Sequence, residues 1–223
     1  LRGSGAPLIL LSATPGDRRD YDAVLPQLEQ RYQVLRLDWP GYGKSPAPHP
    51  PASASAMLFA RLLVELVQAL DLPPAIVIGN SVGCYAAVRL ALAQPEKVRA
   101  LVLVSPGGFS PQNFVTRSFC RIKGSEAVTR ATNVSFAKFY LKRRSPVALE
   151  MLARAGGEQS TAAAIAVNAA VWRSFALPEH DLREAARGVR APTLVINGKH
   201  DPVLPPRDGA VAAAAIPGAR DVV

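Results

Sequence analysis

Ile76-Val77-Ile78-Gly79-Asn80-Ser81-Val82-Gly83-Cys84-Tyr85-Ala86-Ala87 runs from an apolar strand, through a Gly-x-Ser-x-Gly turn at 79–83, into a helix that opens on alanines. With Gly and Ser usage near 7%, the pentapeptide alone arises by chance in about one chain per dozen of this length. A strand passing straight into a helix through it is far rarer, and it has a mechanical reason. The sharp bend lifts the serine hydroxyl above the sheet edge at the cost of a strained backbone. Gly79 and Gly83 lack a Cβ, so strand and helix can close on the bend. The helix directs its free N–H groups and positive dipole end at the serine, where an oxyanion would form. Ser81 is the candidate nucleophile, set against an ordinary strand-to-helix loop that contains serine.

Working outward, strand-like runs recur at 7–12, 33–38, 75–79, 98–104 and 193–197, and a last one begins near Asp221. Most are continuous apolar runs, as expected for strands covered on both faces. Helical segments fall between them, at 21–30 and most clearly at 53–70, where apolar and polar faces separate behind a serine cap. This alternation predicts an α/β fold with a doubly wound, mostly parallel sheet. Residues 107–190 break the rhythm and read as helices at 110–122, 134–143, 145–155, 159–175 and 178–187. Pro111, Pro146 and Pro178 suit first-turn positions, and Gly156-Gly157 marks a break. The expected division is a discontinuous core, 1–106 and 191–223, with an all-helical cap insertion at 107–190. A cap there would cover the carboxyl edge of the sheet, where open α/β sheets bind ligands.

The chain of 223 residues, 49% hydrophobic with a mean hydropathy of +0.12, is sized for one large core with an insertion. Two cysteines, Cys84 and Cys120, suggest neither a disulfide framework nor a metal site, which favours a reducing, cytoplasmic setting. No run is long and apolar enough to span a membrane, and none is expected to bind one. The net charge of +9 is uneven. Arg117, Arg121, Lys123, Arg130, Lys138, Lys142, Arg143, Arg144 and Arg154 face only Glu126 and Glu150, a local balance of +7. That segment either attracts acidic partners or forms a solvated helical face, and no nucleic-acid motif accompanies it.

Gly41-Tyr42-Gly43-Lys44-Ser45 imitates a phosphate-binding loop, but Asp38 stands where that motif needs glycine and Pro46, Pro48, Pro50 and Pro51 forbid the helix. The same residues carry another pattern. Asp38-x-Pro40-Gly41-x-Gly43-x-Ser45, the turn at 79–83 and Gly198-x-x-Asp201, each after a strand, resemble the α/β-hydrolase superfamily over nearly the whole chain. The layout is similar to cap-bearing esterases, carbon–carbon bond hydrolases and haloperoxidase-like enzymes. The resemblance implies a Ser-His-Asp triad with Ser81 as nucleophile and Asp201 as its acid. It also implies an oxyanion hole from the backbone amides of Thr14 and Val82, a small-molecule substrate, and no metal or organic cofactor. Phe109 and Trp172 are the expected pocket walls.

Two departures stand out. Ser12-Ala13 replaces the His-Gly usual after the first central strand. None of the three histidines, His49, His180 and His200, follows the last strand, where the triad base belongs. With Leu1 in place of methionine and an end inside a strand, the expectation is a chain cut at both ends, its triad histidine beyond the end, and nearly inactive alone. The function expected is hydrolysis of an ester-like or C–C bond in a small, largely apolar substrate. The alternative is a non-catalytic small-molecule binding protein on the same fold.

Overall fold

A computed structural model describes residues 2–223. Six strands, β1 (Ala6–Leu11), β2 (Tyr32–Arg36), β3 (Ala75–Ser81), β4 (Val98–Pro106), β5 (Thr193–Ile196) and β6 (Arg220–Val222), form one sheet in the order β2-β1-β3-β4-β5-β6. Every neighbouring pair is parallel. The order reverses at β1 and β3, so the carboxyl ends of those strands bound the crevice where such sheets take ligands.

The apolar run of β1 is buried on both faces. Ile9 and Leu11 join the large core with Val77, Leu101, Leu103 and Val195, whereas Leu8 and Leu10 pack with Leu25 and Val34 on the other side. Helix α1 (Leu25–Leu28) covers that second face; α2 (Ala56–Ala69) and α3 (Val82–Ala93) cover the first. Ser55, not Ser53, caps α2, its hydroxyl accepting from the Leu58 N–H at 3.0 Å.

The helix expected over 21–30 is reduced to a 3-10 turn, Arg18–Tyr21, and the single turn of α1. Leu25 is the one buried side chain in these two elements, too little apolar area to sustain a longer helix.

Between β4 and β5 lie α4 (Phe114–Lys123), α5 (Glu126–Tyr140), α6 (Pro146–Gly156) and α7 (Ala162–Ser174), and no strand occurs among these described residues. Pro146 occupies the first turn of α6, and Gly157 caps its end. The helix expected at 178–187 is absent. Two 3-10 turns, Pro178–His180 and Ala185–Gly188, replace it, because the Asp181 carboxylate accepts the Arg183 N–H and bends the chain between them. Helix α8 (Pro206–Ala215) returns the chain to β6.

Of the basic cluster, Lys123 and Arg154 turn inward while Arg121, Arg130, Lys138, Lys142, Arg143 and Arg144 face solvent. No helix is long and apolar enough to cross a membrane among the described residues.

Candidate active site

Ser81 ends β3 and begins α3 with φ 53° and ψ −113°, a left-handed conformation that costs a non-glycine residue about 1–3 kcal/mol. Its surroundings force that shape. The Gly107 N–H donates to the Ser81 carbonyl at 3.1 Å. A Cβ on Gly79 would lie 2.5 Å from the Gly83 carbonyl carbon, and one on Gly83 would overlap the Leu11 carbonyl of β1. The Cys84 thiol lies 3.0 Å from the Gly79 carbonyl oxygen and 3.3 Å from that of Val104. Burial pushes this thiol far above the ordinary range, so it stays neutral and serves packing.

The loop after β1 is held equally firmly. The Trp39 indole N–H donates to the Ser12 carbonyl at 2.8 Å, and Trp39 stacks on Phe59 at 4.8 Å. The Gly16 N–H closes a turn on the Ala13 carbonyl at 2.8 Å, and the Thr14 and Tyr42 hydroxyls bond at 2.8 Å. Asp38 supports the neighbouring loop. Its carboxylate accepts the Arg18 N–H at 2.9 Å, the Arg18 guanidinium at 2.6 Å and the Lys44 N–H at 3.0 Å. A Cβ on Gly43, at φ 54°, would collide with that carboxylate. The Gly41-to-Ser45 stretch therefore braces a turn.

Asp201 follows β5, and both of its oxygens are engaged. Oδ1 accepts the N–H groups of Val203 and Leu204 at 2.9 and 3.0 Å; Oδ2 accepts the Ser105 hydroxyl at 2.8 Å. Ser105 itself stands at φ 44° within β4. Nothing in the local sequence around Ser105 marks it. The strand order held the signal, since parallel neighbours β4 and β5 bring their carboxyl ends side by side.

Two cavities open at this edge, one of about 340 Å³ and one of about 810 Å³, and Ser81, Thr14 and Trp172 line both. Asp201, Ser105 and His200 line only the larger. Val82 is fully buried beneath the turn, the first residue of α3. Trp172 meets Phe119 and Phe136 edge-to-face at 5.5 and 6.0 Å. Phe109 is a correction: it lines neither cavity and is wholly buried in the main core. The backbone after β4 turns it inward, where an aromatic side chain gains more from core burial than from a cavity wall.

Asp20, unnoticed in the sequence, lines the larger cavity, and burial drives its carboxyl up to about 7 despite the Arg154 guanidinium beside it. Asp17 is also buried, yet hydrogen bonds from Arg19 and the nearby Arg154 charge keep its carboxyl below the ordinary range. The histidines are scattered. His49 is exposed; His180 is buried between Tyr85 and Phe175; His200 is exposed at the rim of the larger cavity. Among the described residues, none hydrogen-bonds to Ser81 or Asp201, and no group of His, Cys, Asp or Glu is arranged to hold a metal.

The chain is similar to a 2-hydroxy-6-oxononadienedioate/2-hydroxy-6-oxononatrienedioate hydrolase of Cupriavidus pinatubonensis, 29% identical over 213 residues, 88% of this chain and 70% of that protein. In structure it resembles an enol-lactonase from Burkholderia xenovorans, with TM-score 0.78 and 27% identity over 99% of this chain and 83% of the other. A hydrolase from Pseudomonas aeruginosa superposes with TM-score 0.81 and 26% identity over 99% of this chain and 82% of its own. The family model described as alpha/beta hydrolase fold matches residues 6–223. With its sheet order, its strained turn at Ser81 and these likenesses together, the chain belongs to the alpha/beta hydrolase fold family, and it is an enzyme of the hydrolase class.

Proposed function

We propose that this hydrolase cleaves an ester-like or C–C bond in a small, largely apolar substrate, with Ser81 as nucleophile. The observation that carries the proposal is the left-handed Ser81 at the head of α3, facing both cavities. The Ser81 hydroxyl adds to the substrate carbonyl, and a histidine takes its proton and returns it to the leaving group. Water then hydrolyses the acyl-enzyme. The backbone N–H groups of Thr14 and Val82 receive the oxyanion; removing one such donor costs about 2.7–4 kcal/mol of transition-state stabilisation. Asp201 orients the histidine, itself held by Ser105 and two backbone amides. The base is none of His49, His180 and His200, which make no hydrogen bond to Ser81 or Asp201, but a histidine outside residues 2–223. Helices between 107 and 190 act as a cap, with Trp172 as a pocket wall. The enol-lactonase and the 2-hydroxy-6-oxo acid hydrolase named above support the range of bonds considered.

A fluorophosphonate probe tests the nucleophile. The wild type takes up one adduct by intact mass, and Ser81→Ala takes up none. His200→Ala takes up the adduct as the wild type does. An unlabelled wild type sinks the proposal, as does a labelled Ser81→Ala.

A further inference from the structure

The smaller cavity has a polar wall that the proposed chemistry at Ser81 does not use. Helix α8 begins at Pro206, and its third residue, Asp208, is 2% exposed yet lines that cavity. One carboxylate oxygen, Oδ2, accepts the Ser110 hydroxyl at 2.5 Å. The other, Oδ1, is buried without a hydrogen-bond partner. The adjacent Arg207, which also lines the cavity, comes to 3.6 Å of Oδ1, beyond hydrogen-bond distance, and its side chain is 80% exposed. Gln112, two residues beyond Ser110, lines the same cavity. Its amide nitrogen donates to the Phe175 carbonyl at 3.3 Å. A carbonyl can only accept, so this bond fixes the amide orientation and leaves Gln112 Oε1 the free end, also buried and unpartnered.

Both orphan atoms are acceptors, and one of them carries charge. Buried acceptors without donors are costly, so each implies a donor that arrives with the ligand. A group offering several hydrogens and a positive charge answers both; an apolar or anionic group answers neither. The remaining walls, including Val115, Phe119, Val171 and Trp172, suit a short alkyl chain. At about 340 Å³ the cavity sits at the small end of the ligand-pocket range of about 300–1,000 Å³.

We propose that Asp208 Oδ1 and Gln112 Oε1 form a subsite for a primary ammonium group on the acyl chain of the substrate. This rests on the assignment of Ser81 as nucleophile, because that residue lines the same cavity and marks where the scissile carbonyl must sit.

Matched esters read the subsite: p-nitrophenyl 6-aminohexanoate against p-nitrophenyl heptanoate, equal in length and differing in ammonium for methyl. The wild-type ratio of kcat/KM favours the amino ester by roughly tenfold or more, the effect of one charged hydrogen bond. Asp208→Asn brings the ratio towards one, and Gln112→Leu lowers it by a smaller factor. A wild-type ratio near one overturns the subsite, as does an Asp208→Asn variant that retains the full preference. If Asp208→Asn does not fold, judged by its thermal melt, the wild-type ratio and Gln112→Leu decide.

Should neither ester be cleaved, calorimetry with n-hexylammonium and 1-hexanol separates the two claims. Tighter binding of the ammonium, weakened in Gln112→Leu, keeps the subsite, and fluorophosphonate labelling then decides the assignment of Ser81 separately. Equal binding of the two removes the subsite.

Discussion

At Ser81 a single residue concentrates strain that its neighbours impose, and the two glycines flanking it do so in different ways. Gly79 admits the first turn of α3; Gly83 admits the β1 carbonyl of Leu11. Gly83→Ala must push backbone against backbone, so a loss of about 3 kcal/mol or more is expected in denaturant unfolding, the upper end of overpacking costs. Gly156→Ala supplies the contrast. At the end of α6 its new methyl would meet only Val134 at 3.9 Å, and a change within about 1 kcal/mol, in the stabilising direction, is expected from the same measurement.

In the proposed chemistry Ser105 is a positioning residue at this scale too. Ser105→Ala frees Asp201 Oδ2 but leaves Oδ1 on its two backbone amides. A fall of roughly tenfold in kcat is expected, with KM unchanged and no shift of the thermal melt beyond about 2 °C. A matching loss of Tm would make the effect structural. The turn at 79–83 and Asp201 were readable in the chain because their spacing to strands is local. Ser105 was not, since its meaning comes from a residue in the next strand.

Helix α7 illustrates the element scale. Its buried residues run almost all round, from Ala164 to Val171, because it lies between the other insertion helices and the core. Alanines make this possible: small side chains let helices approach closely, and a Cβ on Gly41 would lie 2.9 Å from Val167 Cγ2 of α7. The Ser174 hydroxyl at its end also accepts the Ala56 N–H, capping α2 from across the fold at 3.2 Å. Ala169 is wholly buried, and Ala169→Leu is expected to lower unfolding free energy by about 1–3 kcal/mol in urea titration. Element types were legible wherever periodicity extended over several turns, as in 53–70 and 159–175. They failed at 21–30 and 178–187, where short turns are decided by side-chain bonds such as Asp181 to Arg183.

On the scale of the molecule, Arg154 of α6 reaches both Asp17 and Asp20 beside β1, tying the insertion to the sheet edge at the site. Asp20 makes that tie pH-dependent. Its carboxyl releases its proton near 7 in the folded chain, whereas an unfolded aspartate does so near 3.8. Between these values the folded state holds a proton that the unfolded state has lost. The contribution of Asp20 to stability is therefore full below about pH 4 and lost as pH rises through 7. Asp20→Asn titrates nowhere in this window. Relative to that variant, the wild type should lose Tm steadily from pH 4.5 to 7.5; a flat difference would contradict the raised value. None of this coupling is visible in the chain, because Asp20 and Arg154 lie 134 positions apart.

By itself the sequence determined the parallel α/β class and the strand-turn-helix at Ser81. Both follow from local hydrophobic runs, from glycine and from proline, whose effects extend only a few residues. Tertiary structure decided the rest. It sent Phe109 into the core, set Ser105 against Asp201, buried Asp20 beside Arg154 and left Asp208 and Gln112 with unpaired acceptors on a cavity wall. Burial and hydrogen-bond satisfaction are properties of which distant segments meet, and packing alone determines that.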